Sequence, residues 1–352
     1  MTRDENLRRA VRFERPDFIP VGFHINGACW HHYDQAALQD LMAAHPLLFP
    51  GFSPAKLPIT HDFPAWARAG VTHTDTWGCV WTTTDDGIMG SVIRHPLHDW
   101  AAFEGYRAPD PLNDTGWGAT HWADVAASFR EAQASDPARF RRGSLRHGHT
   151  FLMLQYLRGY EGLLYDMADD EPRLHRLMGL LEDYNLAVVR RFLALGANWM
   201  GYPEDLGAQV GPMLSPAQFR RFIKPTYQRL MAPARAAGCV VHMHSDGDIR
   251  TLVDDLIDGG VEVVNLQDLV NGIAWIKERL AGRVCLDLDV DRQRITRFGT
   301  PAQIDALIRD EVTQLGRREG GLIFTFGLYP GTPLANVAAL MDAFEKYATH
   351  FN

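Results

Sequence analysis

The sequence has few cysteines and no long apolar run, and both absences exclude classes of protein. Its four cysteines, among 352 residues, are scattered and form no CxxC pair. This argues against a disulfide framework and against a cysteine-rich zinc knuckle. No stretch approaches the length of a membrane span, and the charged opening "MTRDENLRRAVRFERPDF" contains no apolar signal-peptide core. We therefore expect a cytoplasmic protein without a membrane partner.

The sequence also lacks a basic charge balance and the common nucleotide-binding and hydrolase motifs. The net charge is −8, which argues against a broad nucleic-acid-binding face. No GxSxG, P-loop or Rossmann glycine signature stands in a suitable strand–turn–helix context. The function must therefore be sought in residues outside these motifs.

The second half of the chain alternates short apolar runs with helix-like segments. Two helices are predicted to begin with a capping box and a proline, at Ser215-Pro216 and at Thr300-Pro301. The apolar runs are "NWMGY" (198–202), "CVVHM" (239–243), "VEVVNL" (261–266), "RVCLDL" (283–288) and "GLIFTF" (321–326). Such alternation predicts a parallel sheet that helices cover on both faces.

The first half is less regular. "FIPVGF" (18–23) and "SLRHG" (144–148) are strand candidates, and so is "HPLLFPGF" (45–52). Residues 74–97 are predicted to form a β-hairpin insertion that turns at Asp86-Gly87. About eight strand candidates favour a (β/α)₈ TIM barrel over an open sheet. We therefore predict an α/β fold with a single barrel domain over residues 1–352.

In a barrel of this kind, function lies at the carboxyl ends of the strands. That rule selects polar residues that follow the predicted strands. They are His24, Asn26, Glu204, Asp205, His242, His244, Asp246, Gln267, Asp289 and, in the turn "FGLYPGTP", Tyr329.

The stretch "CVVHMHSDGDI" carries the densest candidate chemistry. His242, His244 and Asp246 have the same parity, so an extended strand would point all three toward the barrel axis. Two imidazoles and a carboxylate suit Zn²⁺ or a similar divalent ion. The alternative is structural, with one histidine packed in an inner layer and the other bonded to a neighbouring strand end.

Further carboxylates at strand ends are candidates for acid–base catalysis. Glu204 and Asp205 are adjacent and point in different directions, so at most one is expected to face the site. A carboxylate in a partly closed barrel mouth can have a raised pKa and serve as acid or base. Asp289 is a third candidate, while His24 and Asn26 either bind a ligand or belong to a polar rim.

Several segments, in order along nearly the whole chain, resemble the uroporphyrinogen decarboxylase superfamily, which includes methyltransferases of corrinoid-dependent methyl transfer. The resemblance begins at "ENLRRAVRFERPDFIPVGF" and closes at "GTPLANVAALMDAF". Its strongest part is "EDLGAQVGPMLSPAQFRRFIKPTYQRL" followed by "GCVVHMHSDGDI". It implies a (β/α)₈ barrel with the pocket at the carboxyl ends of the strands, and it makes a homodimer plausible.

Two departures from the family pattern narrow the expected activity. The decarboxylases carry an arginine-rich stretch after the first strand, where this chain has "HINGACW"; a substrate with many carboxylates needs such cations. The zinc-dependent methyltransferases carry His-x-Cys and a later Cys. Here His244-Ser245-Asp246 stands at the first position, and Phe326 or a residue nearby in "TFGLYPGTP" stands at the second, so a thiolate-rich zinc site is not preserved.

The resemblance therefore implies an enzyme that demethylates a small methoxy or methylamino compound and passes the methyl group to a corrinoid protein. His244, with Asp246, Glu204 or His242, would hold a divalent metal, most simply zinc. Asp205 or Asp289 would supply the proton, and the substrate would contact residues that follow other strands. Those residues are His24, Asn26, Gln267 and Tyr329.

Three alternatives to methyl transfer stay open. One is a metal-dependent hydrolase or lyase that uses no corrinoid, and another is a member that binds a ligand without catalysis. Porphyrinogen decarboxylation is the third and is disfavoured by the missing arginines.

Overall fold

The computed structural model describes residues 1–116 and 118–351, and the chain divides into two compact units. The first unit comprises Met1–Pro64, Asp86–Ile88 and Asn265–Asn352, and the second comprises Ala65–Asp85 and Met89–Val264. The prediction of a single domain over residues 1–352 stays a prediction.

The strands are short, and burial is greatest in β6, β11, β12 and β13. They are β1 (Val21–Ile25), β2 (His73–Thr74), β3 (Val80–Thr82), β4 (Ser91–Arg94), β5 (Arg142–Ser144), β6 (Trp199–Gly201), β7 (Glu204–Asp205), β8 (Gly207–Ala208), β9 (Gly211–Pro212), β10 (Val240–Asp246), β11 (Val263–Gln267), β12 (Cys285–Asp289) and β13 (Leu322–Leu328).

The helices range from single turns to a 23-residue helix, α7. They are α1 (Arg3–Arg12), α2 (Cys29–His32), α3 (Gln35–Ala44), α4 (Trp122–Ser135), α5 (Phe151–Arg158), α6 (Tyr160–Asp169), α7 (Pro172–Ala194), α8 (Pro216–Gln218), α9 (Lys224–Ala236), α10 (Val253–Gly259), α11 (Asp268–Asn271), α12 (Ile273–Arg279), α13 (Ile295–Phe298), α14 (Pro301–Leu315) and α15 (Leu334–Ala348). A π-helical segment, Phe219–Ile223, joins α8 to α9.

In the first unit, parallel strands carry an aromatic core. β13 pairs in parallel with both β1 and β12. The ring of Phe23 lies 5.3 Å from that of Phe326, and the ring of Phe324 lies 5.4 Å from that of Phe344 on α15. Burial of such large apolar side chains is the main force that holds sheet and helices together.

In the second unit, parallel pairing brings four strands together. β6 pairs in parallel with β5 and with β10, and β7 pairs with the end of β10. The carboxyl ends of these parallel strands therefore lie side by side, as the sequence predicted for a functional site.

The segment predicted as a hairpin insertion lies in an antiparallel sheet. β3 pairs with β2 and with β4, both antiparallel. The connection from β3 to β4 contains Asp86-Gly87, and Gly87 has φ +77°, a conformation that favours glycine.

The predicted helix starts are confirmed, and one predicted strand is wrong. Both capping boxes form, Ser215 with Gln218 and Thr300 with Gln303. Residues 45–52 form turns, because two prolines and a glycine break the apolar run "HPLLFPGF".

Within the described part of the chain, no helix combines the length and the apolar character needed to cross a membrane.

Candidate metal centre

Three strand ends of the second unit place two histidines and one aspartate around a common point. His147 follows β5, Asp205 ends β7, and His244 lies near the end of β10. The Nε2 atoms of His147 and His244 lie 3.4 and 3.5 Å from Oδ1 of Asp205. All three candidate ligand atoms lie within 4.8 Å of one another.

The spacing and chemistry of this cluster fit a divalent cation. Ligands about 2.1 Å from a tetrahedral zinc ion lie roughly 3.4 Å from each other, which is the separation that the two histidine–aspartate pairs have. Two imidazoles and one carboxylate form a nitrogen–oxygen set that zinc and harder divalent ions accept.

Asp205 is held in the ionised form that a metal ligand needs. Burial by itself raises the pKa of the carboxyl group. Hydrogen bonding and the charges of His147 and His244 outweigh that effect and leave the pKa of Asp205 below its ordinary range. A carboxyl group in this state is a ligand or a proton acceptor, and it is a poor proton donor at neutral pH.

Asp246, predicted as a metal ligand, lies at the edge of the cluster. Its Oδ1 is 3.7 Å from Nε2 of His244, and its backbone N–H donates to Oδ1 of Asp205 at 3.1 Å. It therefore belongs to the surroundings of His244, although the group of three mutually close ligands does not include it.

His242, the other histidine of the motif, packs against an aromatic ring of the neighbouring strand β6. Its ring lies 5.2 Å from the ring of Trp199, which in turn lies beneath the guanidinium of Arg142 at 4.3 Å. The three-ligand cluster does not include His242. The shared parity of His242 and His244 along β10 stays a prediction, and the contact with Trp199 on β6 gives His242 a packing role.

Glu204, predicted as a catalytic carboxylate, is fully buried and holds the start of α5. Its Oε2 accepts from the backbone N–H groups of Thr150 at 3.0 Å and Phe151 at 2.8 Å, and its Oε1 accepts from Leu152 at 3.0 Å. The hydroxyl of Tyr227 donates to Oε2 at 2.8 Å. Burial raises the pKa of Glu204 to about 6, although these hydrogen bonds oppose the rise.

Two of the predicted residues in the first unit, Asp289 and Tyr329, are linked through Arg292. Asp289 forms an ion pair with Arg292, Nη2 to Oδ2 at 2.7 Å, and the Arg292 guanidinium lies 5.6 Å from the centre of the Tyr329 ring. Tyr329 is 41% exposed and Asp289 is buried, so solvent reaches this group from the tyrosine side.

The other candidates of the first unit have more local surroundings. Asn26 shapes the loop after β1, because its side chain accepts from the N–H of Ala28 and donates to the carbonyl of Gly87. His24 is exposed at the end of β1, and Gln267 is buried at the end of β11.

Sequence reasoning missed His147 as a candidate ligand. "SLRHG" was identified as a strand candidate, and His147 follows the observed strand β5. The rule that selected His244, namely a polar residue at the carboxyl end of a parallel strand, would also have selected His147.

A cavity of about 350 Å³ adjoins the cluster in the second unit. Its lining includes Gln155, Tyr156, His95, Asp205 and Asp246. No lysine or arginine is among the described residues that line it. The cavity therefore suits a small neutral or cationic molecule better than an anion.

Comparison with known sequences points to one family. The sequence model described as Uroporphyrinogen decarboxylase (URO-D) matches residues 78–347. A uroporphyrinogen decarboxylase of Thermus thermophilus is 29% identical over 190 residues, which is 52% of this chain and 51% of the relative. One of Synechococcus sp. is 30% identical over 161 residues, 42% of this chain and 43% of the relative. The chain thus spans about half the length of the curated relatives it matches.

A solved structure matches over almost the whole chain. The structure described as a methyltransferase from Methanosarcina mazei has a TM-score of 0.63 and 18% sequence identity, and covers 97% of this chain and 98% of its own. At this identity the likeness concerns the fold alone. It confirms the predicted fold class, an α/β barrel of the (β/α)₈ type.

Proposed function

The chain belongs to the uroporphyrinogen decarboxylase family, and on that premise we propose that it is a metal-dependent enzyme of methyl transfer. It removes a methyl group from a small methoxy or methylamino compound and delivers it to a corrinoid that a separate protein carries. The observation that carries the proposal is the cluster of His147, Asp205 and His244 at the strand ends.

The cluster supports a metal site that differs from a thiolate centre. Nitrogen and oxygen ligands suit an ion that polarises a substrate heteroatom, whereas thiolate ligands suit activation of a thiol. His147, Asp205 and His244 would hold a divalent ion, and a bound ion would supply Lewis-acid chemistry toward the oxygen or nitrogen that loses the methyl group. This chemistry matches a methyl donor better than a thiol acceptor.

The residues around the cavity supply what the leaving heteroatom needs. When the methyl carbon departs, the oxygen or nitrogen keeps the bonding electron pair and requires a hydrogen-bond donor. Burial, aided by the charge of Glu204, raises the pKa of Tyr156 above its ordinary value. The phenol therefore stays protonated, and at the cavity wall its hydroxyl can donate to that atom.

Decarboxylation of a porphyrinogen is the second candidate, because the curated relatives carry that name. A substrate with several carboxylates needs lysine or arginine side chains to bind it. Neither the "HINGACW" stretch nor the described cavity wall supplies one. The charge of the site therefore supports methyl transfer over decarboxylation.

Metal analysis is the first test of the proposal. We expect about one equivalent of a divalent ion in protein purified without added metal or after addition of zinc. His147→Gln and His244→Gln should each lose it, whereas His98→Gln, at an exposed position of the same unit, should keep it. Less than about a tenth of an equivalent in the unmodified protein contradicts a metal site.

A methyl-transfer assay tests the reaction itself. The protein is incubated with cob(I)alamin and a panel of methoxy and methylamino compounds, and formation of methylcobalamin is followed by absorbance. Methylation by at least one compound, lost in His244→Gln, is the expected result. Failure with the whole panel, together with decarboxylation of uroporphyrinogen, would replace the proposal with the second candidate.

A further inference from the structure

We propose that Glu204 is a positioning residue of the metal centre, an inference that rests on the metal site proposed above. It touches none of the three candidate ligands through its carboxylate. Instead it joins the chain segments that carry them, and so fixes the distance between His147 and Asp205.

The position of Glu204 in β7 connects it to two of the ligands. Asp205 is the next residue, and strand alternation sends the two side chains to opposite sides. In the register of the parallel pair, Glu204 lies opposite Ser245 of β10, directly after His244. The hydroxyl of Ser245 also accepts from the N–H of Leu206 at 2.9 Å, which fastens β7 to the strand that carries His244.

The carboxylate of Glu204 connects the same strand to the third ligand. It accepts the N–H groups of Thr150, Phe151 and Leu152 at the start of α5. His147 lies three residues before Thr150 in the sequence, so the loop that carries it is held directly against β7. Since β7 carries Asp205, the same contact sets the His147–Asp205 separation of 3.4 Å.

The start of α5 depends on Glu204 because it has no cap of its own. Thr150, at the N-cap position, makes no side-chain capping bond to the helix, and its hydroxyl contacts Nδ1 of His149 at 2.7 Å. The first N–H groups of a helix need acceptors, and a negative charge there is favourable. The carboxylate of Glu204, on the separate strand β7, supplies both the acceptor oxygens and the negative charge.

Tyr227 holds the carboxylate in place. This residue of α9 is 2% exposed, and its hydroxyl donates to Oε2 of Glu204 at 2.8 Å. The contact orients the carboxylate toward α5 without reaching the three ligands. Tyr227→Phe removes only this hydroxyl, so it should loosen the hold on the Glu204 carboxylate while Glu204 itself stays unchanged.

The loop has other attachments that should let Glu204 variants fold. The N–H of Leu145 donates to the carbonyl of Gly201 at 3.0 Å, and that of Gly148 donates to the carbonyl of Pro203 at 2.9 Å. Loss of the Glu204 contact should therefore loosen the loop around His147 without detaching it. A loosened ligand lowers metal affinity and changes coordination geometry.

Cobalt(II) binding tests this inference, because the visible absorption of cobalt reports coordination geometry and its titration gives affinity. We compare the unmodified protein with Glu204→Gln, Tyr227→Phe and Leu177→Ala. The last variant removes a fully buried side chain on α7 and controls for lost stability. Thermal unfolding of each metal-free protein is measured alongside.

Glu204→Gln should weaken cobalt binding about 10- to 100-fold and alter the absorption bands, and Tyr227→Phe should do so to a smaller extent. Leu177→Ala should keep the affinity and spectrum while losing comparable or greater thermal stability. If the unmodified protein binds cobalt and Glu204→Gln binds it with the same affinity and spectrum, the inference is wrong although the metal site stands. If the unmodified protein binds no cobalt, both are overturned.

Discussion

The backbone N–H of Asp246 donates a hydrogen bond to Oδ1 of Asp205, with 3.1 Å between nitrogen and oxygen. The same oxygen faces the Nε2 atoms of His147 and His244. The end of β10 therefore orients a carboxylate of β7, and the charge at the centre of the cluster comes from Asp205.

This geometry predicts unequal effects for the two aspartates. Asp205→Asn removes the central charge while keeping the shape of the side chain, and should weaken zinc binding by about 100-fold or more. Asp246→Asn keeps the backbone hydrogen bond and should cost less than about tenfold. Competition titration with a chelator measures both. Equal losses would show that Asp246 is a ligand, as the sequence predicted.

The second prediction concerns the two histidines of "HMH". His242 packs against Trp199, so His242→Phe should keep the full metal content and change the free energy of unfolding by less than about 1.5 kcal/mol. His244→Phe, the matched variant two residues along, should lose the metal. Metal analysis and urea denaturation decide the question; loss of metal in His242→Phe would return His242 to the ligand set.

The sequence allowed much of this site to be predicted, because strand ends can be located from apolar runs. His244 and Asp205 were both selected by that rule. Strand alternation also predicted that at most one of Glu204 and Asp205 would face the site. Which one faces it depends on the start of α5, whose unsatisfied N–H groups attract Glu204, and no local pattern shows that.

The other differences between the predicted and the observed site also come from contacts between segments that are distant in the sequence. The ring of Trp199 packs against the ring of His242. The strand that precedes His147 is β5, and three helices separate it from β7 in the sequence. Such pairings follow from the folded arrangement of the strands, whereas parity and spacing describe one segment at a time.

A third prediction concerns the glycine that follows Asp246. Gly247 has φ +80°, and a Cβ added to it would lie 2.1 Å from the carbonyl carbon and oxygen of Gly207. Gly247→Ala therefore forces two backbone segments apart beside the cluster. We expect it to lower the free energy of unfolding by roughly 3 kcal/mol or more and to weaken metal binding.

Gly238→Ala is the matched control for backbone strain. Gly238 has φ +70°, and no atom of the described residues lies within 4 Å of the added Cβ. This variant should cost only about 1–2 kcal/mol, the strain of a left-handed residue, and should bind metal normally. Equal costs for the two alanines would mean that the contact with Gly207 is unimportant. Urea denaturation measures both.

The last prediction concerns a buried pair of acids in the first unit. Glu311 on α14 is 0% exposed and Asp268 is 1% exposed. Burial raises the pKa of Glu311 well above its ordinary value, and the charges of Asp268, Asp310 and Asp291 add to the rise. The pKa of Asp268 is raised by burial as well. The folded protein therefore keeps a proton on Glu311 that the unfolded chain releases.

The sign of the pH effect follows from this retained proton. Above pH 4.5, the ordinary value for Glu311, the folded state binds more protons than the unfolded state. The free energy of unfolding should therefore fall as pH rises from there toward the raised pKa, by up to about 1.4 kcal/mol per pH unit. Glu311→Gln, which stays neutral, should flatten this slope, and Asp268→Asn should reduce it by removing the facing charge. Urea denaturation from pH 4.5 upward tests this, and an unchanged slope in both variants would contradict a proton retained on Glu311.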